Sequence, residues 1–281
     1  MKWKKTEVAI LGLLVVAGIV AAIALFRILS EYKGGSDTYD FLQGYAFLPE
    51  ESDILPSGGQ NPSGDGQGAS GGGNNRTNSG TKVSDISGQV YYGQSPQVDF
   101  ASLKKLNSDV VGWIYGPGTR INYPIVQGDD NAYYLTHMFD GKENKCGSIF
   151  MDSQNAADFS STNSIVHGHH MRNGSMFASL TGYEDQTYYD THPVLWLTTP
   201  DKSYKVELFA GFVTEADSDA WQIEFATREE YRVWLDKMIE RSAFKSDVKP
   251  GENDHILTLA TCSYEYSDAR FMVLGILREE E

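Results

Sequence analysis

The sequence predicts a mostly β domain, a sandwich or a barrel, carried behind an apolar N-terminal helix and a disordered stalk. Three observations predict it. Short runs rich in Val, Ile, Tyr and Phe recur from residue 98 onward, with turn residues between them. One apolar run near the N-terminus is long enough to cross a bilayer. Between the two lies a tract of Gly, Ser and Asn with no apolar period, which cannot bury a core. The chain thus divides into a tail (1–7), an apolar anchor (8–29), a stalk (30–97) and a folded domain (98–281).

The anchor reads "VAILGLLVVAGIVAAIALFRIL", Val8 to Leu29. About 22 residues at 1.5 Å each give ~33 Å, enough to span the hydrocarbon. Lys2, Lys4 and Lys5 precede it, so the positive-inside rule keeps the N-terminus in the cytoplasm and the remainder outside. Arg27 is placed to snorkel. The competing reading is a cleaved signal peptide ending at Ala22-Ile-Ala24. Against it, the apolar run continues through Leu25, Phe26, Ile28 and Leu29.

In the stalk, Ser30 to Leu55 is mixed in character, and Pro56 to Lys82 is the Gly-rich tract. As a flexible coil of about 27 residues the tract spans ~29 Å root-mean-square, which reads as a tether. Asn75-Arg-Thr77 matches a glycosylation sequon, a weak signal on its own.

In the folded part, "DFASLKKLN" spaces Phe100, Leu103 and Leu106 as a short helix does. "VVGWIYGPGTRINYPIVQG" reads as two strands about a Gly-Pro-Gly turn. "GSIFMD", "NSIVHGHH", "PVLWLTT" and "YKVELFAGFVTEA" are further strand candidates, and "GSMFASLTGY" a short helix. "TREEYRVWLDKMIERSAF" places Tyr231, Trp234, Leu235 and Met238 on one helical face, which predicts packing against the sheet. "HILTLATC" and "RFMVLGILRE" close the chain as two strands.

A formal net charge of −15 argues against nucleic-acid binding. The only cysteines are Cys146 and Cys262, too few for a disulfide framework. No C-x-x-C and no Cys/His set of zinc spacing appears, so neither a metal nor another cofactor is expected.

Cys262 has two competing readings. A free cysteine ending an apolar strand is commonly a small buried hydrophobe. Alternation, however, places Ile256, Thr258, Ala260 and Cys262 on one face. A hairpin closed by Ser263–Ala269 would then set Cys262 beside Arg270 at its mouth. A thiol there needs a base, and histidine is the residue for it. The six histidines are His137, His167, His169, His170, His192 and His255, three of them in "VHGHHMRNGSMF". His255 falls on the face opposite Cys262. Cys146, after "GKENK", reads as structural and partly exposed.

"TLATC" with an arginine after a short loop, and "HGHHMRNGSMF" upstream, resemble the sortases, membrane-anchored cysteine transpeptidases of Gram-positive bacteria. Class B is the nearest in pattern, with the resemblance running from about residue 98 to the C-terminus. It implies an eight-stranded sortase-type β-barrel with peripheral helices. It also implies Cys262 as nucleophile, His169 as the catalytic histidine with His170 as the competing assignment, and Arg270 as the arginine. Thr261, Ser263 and Ala260 are implied to flank the bound peptide. The implied reaction cleaves a C-terminal sorting signal of the Asn-Pro-x-Thr type on surface proteins. It passes through a thioester and transfers the protein to an amine of a lipid-linked peptidoglycan precursor. A pilin-polymerising sortase, a hydrolytic cysteine protease and a non-catalytic peptide-binding domain remain as alternatives. One departure stands out: the family often has Ser two residues before the cysteine, where this chain has Ala260.

Overall fold

The computed structural model describes residues 5–48, 90, 92–262 and 268–280, with side chains from residue 13 onward. The Gly-rich tract 56–82, the sequon at Asn75 and Ser263 lie outside the described residues.

Helix α1 (Lys5–Gln43) comes first. Next are strand β1 (Ala46–Phe47), β2 (Gln97–Val98), α2 (Phe100–Leu106), β3 (Val110–Tyr115) and β4 (Asn122–Val126). The middle of the chain holds α3 (Tyr133–Thr136), β5 (Ile149–Met151), β6 (Asn163–His167), α4 (Gln186–Thr191) and β7 (Val194–Thr198). Strand β8 (Ser203–Thr214), α5 (Arg228–Arg241), β9 (Ile256–Cys262) and β10 (Arg270–Glu279) complete it. Eight strands close a barrel in the order β10-β8-β7-β3-β4-β5-β6-β9.

Strands β9 and β10 are apolar at almost every position because both of their faces are covered. Leu257, Leu259, Phe271 and Val273 enter the main core, which also takes in Trp113, Ile114 and Phe150. Ile256, Ala260, Met272, Leu274 and Ile276 turn the other way, into a second core. Tyr231, Trp234, Leu235 and Met238 of α5 cap this second core, as their spacing predicted. Thr227 caps α5, its side chain accepting from Glu230 N–H at 3.1 Å. Helix α2 is capped the same way by Asp99, which accepts from Ser102 N–H at 3.0 Å. "ASLTGYE" forms a 3-10 helix (Ala178–Glu184) where a short helix was expected.

The stalk needs correcting. The apolar helix does not end at Leu29 but runs unbroken to Gln43. Its second half is docked: Tyr39 and Leu42 belong to the main core. Tyr39 Oη donates to the Gly147 carbonyl at 2.6 Å, and Asn144 Nδ2 donates to the Glu31 carbonyl at 2.9 Å. Gly35 permits this close approach, since a Cβ there would lie 2.9 Å from Cys146 Sγ. Strand β1 then pairs antiparallel with β2, Ala46 opposite Val98. The described residues on either side of the Gly-rich tract are thus paired in one two-stranded ribbon. The covalent path from α1 to the barrel runs through the Gly-rich tract, but α1 also meets the barrel directly by packing and hydrogen bonds. The sequence reading missed this because two-residue strands carry no period, and because Tyr39 and Leu42 sit among polar neighbours.

Candidate active site

A cavity of about 680 Å³ opens on the outer side of the barrel at the ends of β9 and β10. Cys262, Arg270, Ala260, His169, His167 and Asp152 are among its lining residues. Cys262 is the last residue of β9 and Arg270 the first of β10, and the two are paired in register. The hairpin mouth expected from alternation is therefore present. On the outer side of Arg270, Thr214 of β8 is its partner.

His169 arrives from the segment after β6. Gly168 N–H donates to the Ala260 carbonyl at 3.0 Å, which ties the histidine segment to the cysteine strand. Only glycine fits at 168, because a Cβ would meet Ile149 Cδ1 at 2.5 Å and Phe177 Cδ2 at 2.6 Å. Phe177 N–H donates to the His169 carbonyl at 2.9 Å and fixes the segment from its other side. His169 Nε2 lies 2.7 Å from the Leu135 carbonyl. A carbonyl only accepts, so Nε2 carries a proton, and in the neutral ring Nδ1 holds the lone pair.

The His169 imidazole hydrogen-bonds the Cys262 thiol, and this raises the histidine pKa against the opposing effect of burial. The Leu135 carbonyl raises it further, and the Arg270 charge lowers it. The thiol moves the other way, below its ordinary value of 9.0. The His169 hydrogen bond is the largest cause, followed by desolvation opposing it and the Arg270 charge assisting it. Thiol and imidazole have thus shifted toward one another, as an activated cysteine requires.

His170 is separated from this pair. Its Nδ1 lies 3.2 Å from the Cys262 backbone carbonyl, not the thiol, and it lines a different, open groove with Arg120 and Arg172. Ala260 faces the cavity and is buried. The Thr261 hydroxyl is buried, on the strand face opposite Cys262, with no hydrogen-bond partner among the described residues. Thr261 nevertheless lines the same cavity as Cys262. Arg270 donates to the neighbouring Ala269 carbonyl at 3.1 Å.

The other histidines have structural partners. His255 Nδ1 meets the Ser161 carbonyl at 3.0 Å, His137 stacks on Tyr133 at 4.1 Å, and His192 Nδ1 meets the Tyr188 carbonyl at 3.0 Å. No group of metal-binding side chains occurs among the described residues. Cys146 corrects an expectation: it is buried, 5% exposed. Burial pushes its thiol up to about 11. Both cysteines are free thiols.

Sequence reasoning missed the pair His167–Asp152 and the wall residue Trp221. A strand-end histidine two residues before His169, on the same face by alternation, was the available signal.

The family model of the sortase domain matches residues 114–277. Sortase B of Listeria monocytogenes is 38% identical over 181 residues, covering 64% of this chain and 74% of that protein. A Staphylococcus aureus sortase B–substrate complex superposes with TM-score 0.62 at 33% identity, covering 65% of this chain and 85% of the other. A sortase B complexed with triglycine superposes with TM-score 0.62 at 33% identity, covering 65% and 86% of the two chains.

Proposed function

The chain belongs to the sortase family, a family of cysteine transpeptidases, and from that premise we propose that Cys262, His169 and Arg270 carry its reaction. The observation behind the proposal is a thiol that is lowered in pKa by an imidazole and a guanidinium while lining a groove able to hold a peptide.

The substrate is a C-terminal sorting signal of the Asn-Pro-x-Thr type on a surface protein. Cys262 Sγ attacks the Thr carbonyl, and the tetrahedral oxyanion forms next to Arg270. Arg270 leaves the Ala269 carbonyl to donate to that oxygen or to the substrate backbone. The C–N bond breaks, the departing amine takes a proton from imidazolium His169, and a thioester remains. His169, now neutral, accepts a proton from the incoming amine as that amine attacks the thioester. The Cys262 thiolate is released and a new amide forms. The amine belongs to a lipid-linked cell-wall precursor; the relative complexed with triglycine is consistent with an amine-bearing acceptor.

Among the described residues one helix, α1, is long and apolar enough to cross a membrane. In our reading it does so once, with the N-terminus cytoplasmic and the barrel outside. The docking of the second half of α1 on the barrel supports a catalytic domain held close to the membrane surface rather than on a long tether.

The test is a peptide-library cleavage assay on the full chain, read by mass with candidate amines added. Amide products with an added amine, through a thioester on Cys262, are expected. Hydrolysis alone in the presence of every amine would reject transfer, and turnover by Cys262→Ala would reject the nucleophile.

A further inference from the structure

Beside the His169–Cys262 pair, the groove has a histidine–carboxylate pair that the transpeptidation chemistry does not use. His167 ends β6, in register with Ala260 on β9 and Phe150 on β5. Its ring is clamped between Phe150, 5.0 Å away, and Trp221, 5.5 Å away, both close to parallel. Trp221 is fixed in turn, its Nε1 donating to the Glu215 carbonyl at 3.0 Å. His167 Nε2 lies 3.1 Å from Asp152 Oδ2.

Asp152 is buried. Burial raises its carboxyl pKa, but hydrogen bonds from His167, Gln154 N–H and Asn131 Nδ2 outweigh that and leave it below the ordinary carboxylate value. The carboxylate is thus ionised, and it holds the ring in the tautomer that donates from Nε2. In the neutral ring Nδ1 then carries the lone pair and accepts. It has no hydrogen-bond partner among the described residues. The neighbouring polar groups are engaged: Asn131 spends Nδ2 on Asp152 and Oδ1 on Ser153 N–H, and Glu224 holds Thr162 through both oxygens.

A ring clamped on two faces, held at one nitrogen and presenting the other in a ligand-sized groove is built to meet a hydrogen-bond donor. The Ala260 side chain beside it offers no polar atom, and its carbonyl is taken by Gly168 N–H. Cys262 lies two residues beyond Ala260, about 7 Å along the strand. An extended peptide whose scissile carbonyl sits on Sγ would place a group about two residues away opposite His167.

We propose that His167 is a specificity-determining residue, its Nδ1 accepting from an N–H of the sorting peptide near the scissile bond, with Asp152 as the residue that positions it. The inference rests on the transpeptidase reading above. Two sources of the N–H are distinguishable, a backbone amide and a side-chain carboxamide.

Two experiments on the full chain in nanodiscs test it. In the first, peptides carry single backbone ester replacements in one arm and single side-chain alanine replacements in the other. With His167 present, one replacement lowers kcat/KM for thioester formation about tenfold. The arm in which it falls identifies the donor. In His167→Phe, which keeps the stacking, that same replacement costs nothing further. Equal penalties with and without the imidazole overturn the inference while leaving the transpeptidase reading intact. Absence of any Cys262 thioester overturns that reading instead. In the second, ¹⁵N NMR of the Cys262→Ala protein, which retains His167, follows the ring nitrogens as peptide is added. The Nδ1 resonance of His167 moves on binding, whereas an unmoved Nδ1 in the saturated complex overturns the inference even if His167→Phe fails to fold.

Discussion

The two cysteines occupy regions that treat the same side chain in opposite ways. Cys146 lies beneath α1, buried, with desolvation as the largest influence on its thiol, which is pushed up to about 11. Cys262 lies at a strand end in an open groove, where an imidazole and a guanidinium pull its thiol below 9.0. Burial alone disfavours the thiolate; a donor and a positive charge at partial burial favour it. The residue type therefore says little about reactivity, and the partner set decides it. That partner set is assembled by topology: β9 and β10 bring Cys262 to Arg270, and the Gly168–Ala260 hydrogen bond brings His169 to both.

The largest way to break the contrast is to exchange the thiols for methyl groups. Cys262→Ala is expected to abolish thioester formation, measured by mass on the intact protein with a sorting peptide. Cys146→Ala is expected to leave turnover within about twofold and to lower stability by about 1 kcal/mol, read from denaturant unfolding. Loss of turnover in Cys146→Ala at retained fold would mean that the buried thiol has a role in the chemistry.

Next is the imidazole. His169→Ala removes the main cause of the lowered Cys262 thiol, so its ionisation moves up in pH. Turnover is expected to fall by about 10²–10⁴-fold, the range for losing a general acid–base group. His170→Ala removes a contact to the Cys262 carbonyl rather than to its thiol, and its effect on turnover is expected to be below about tenfold. The reverse order in a steady-state assay would transfer the catalytic role to His170.

Arg270→Lys keeps the charge but loses the planar fork. A drop of about 10²-fold in kcat/KM is expected if the arginine serves the oxyanion, with the Cys262 titration less affected than in His169→Ala. Unchanged kcat/KM would exclude a directional role. The smallest effect belongs to the region beneath α1. Tyr39→Phe deletes the hydrogen bond to the Gly147 carbonyl and is expected to cost about 1 kcal/mol of stability without altering turnover.

The site and the fold were legible in unequal parts. Cys262 and Arg270 could be set side by side from strand alternation and a short loop, because antiparallel neighbours in register need no long-range information. The seating of α5 on the barrel followed from its own period, since Tyr231, Trp234, Leu235 and Met238 form one stripe. His169 could be singled out among six histidines only through its motif; its partners, the Leu135 carbonyl and the Cys262 thiol, come from distant segments. Asp152 and His167 meet across neighbouring strands, and nothing local marks a carboxylate whose partner is fixed by register. The docking of α1 was the largest omission. A Gly-rich tract signals lack of a core, not where the segments before and after it lie, and β1 and β2 pair those segments.

The most direct test compares the two thiols within one molecule. The full chain is alkylated with iodoacetamide across a pH series, and the rates at Cys262 and Cys146 are read separately by peptide mass. Environment-controlled reactivity predicts that Cys262 labelling rises and levels off below the pH of an ordinary thiol. Cys146 labelling should stay slow until the pH approaches about 11, and His169→Ala should shift only the Cys262 curve upward. Coincident curves for the two cysteines, or a Cys262 curve unmoved in His169→Ala, would contradict it.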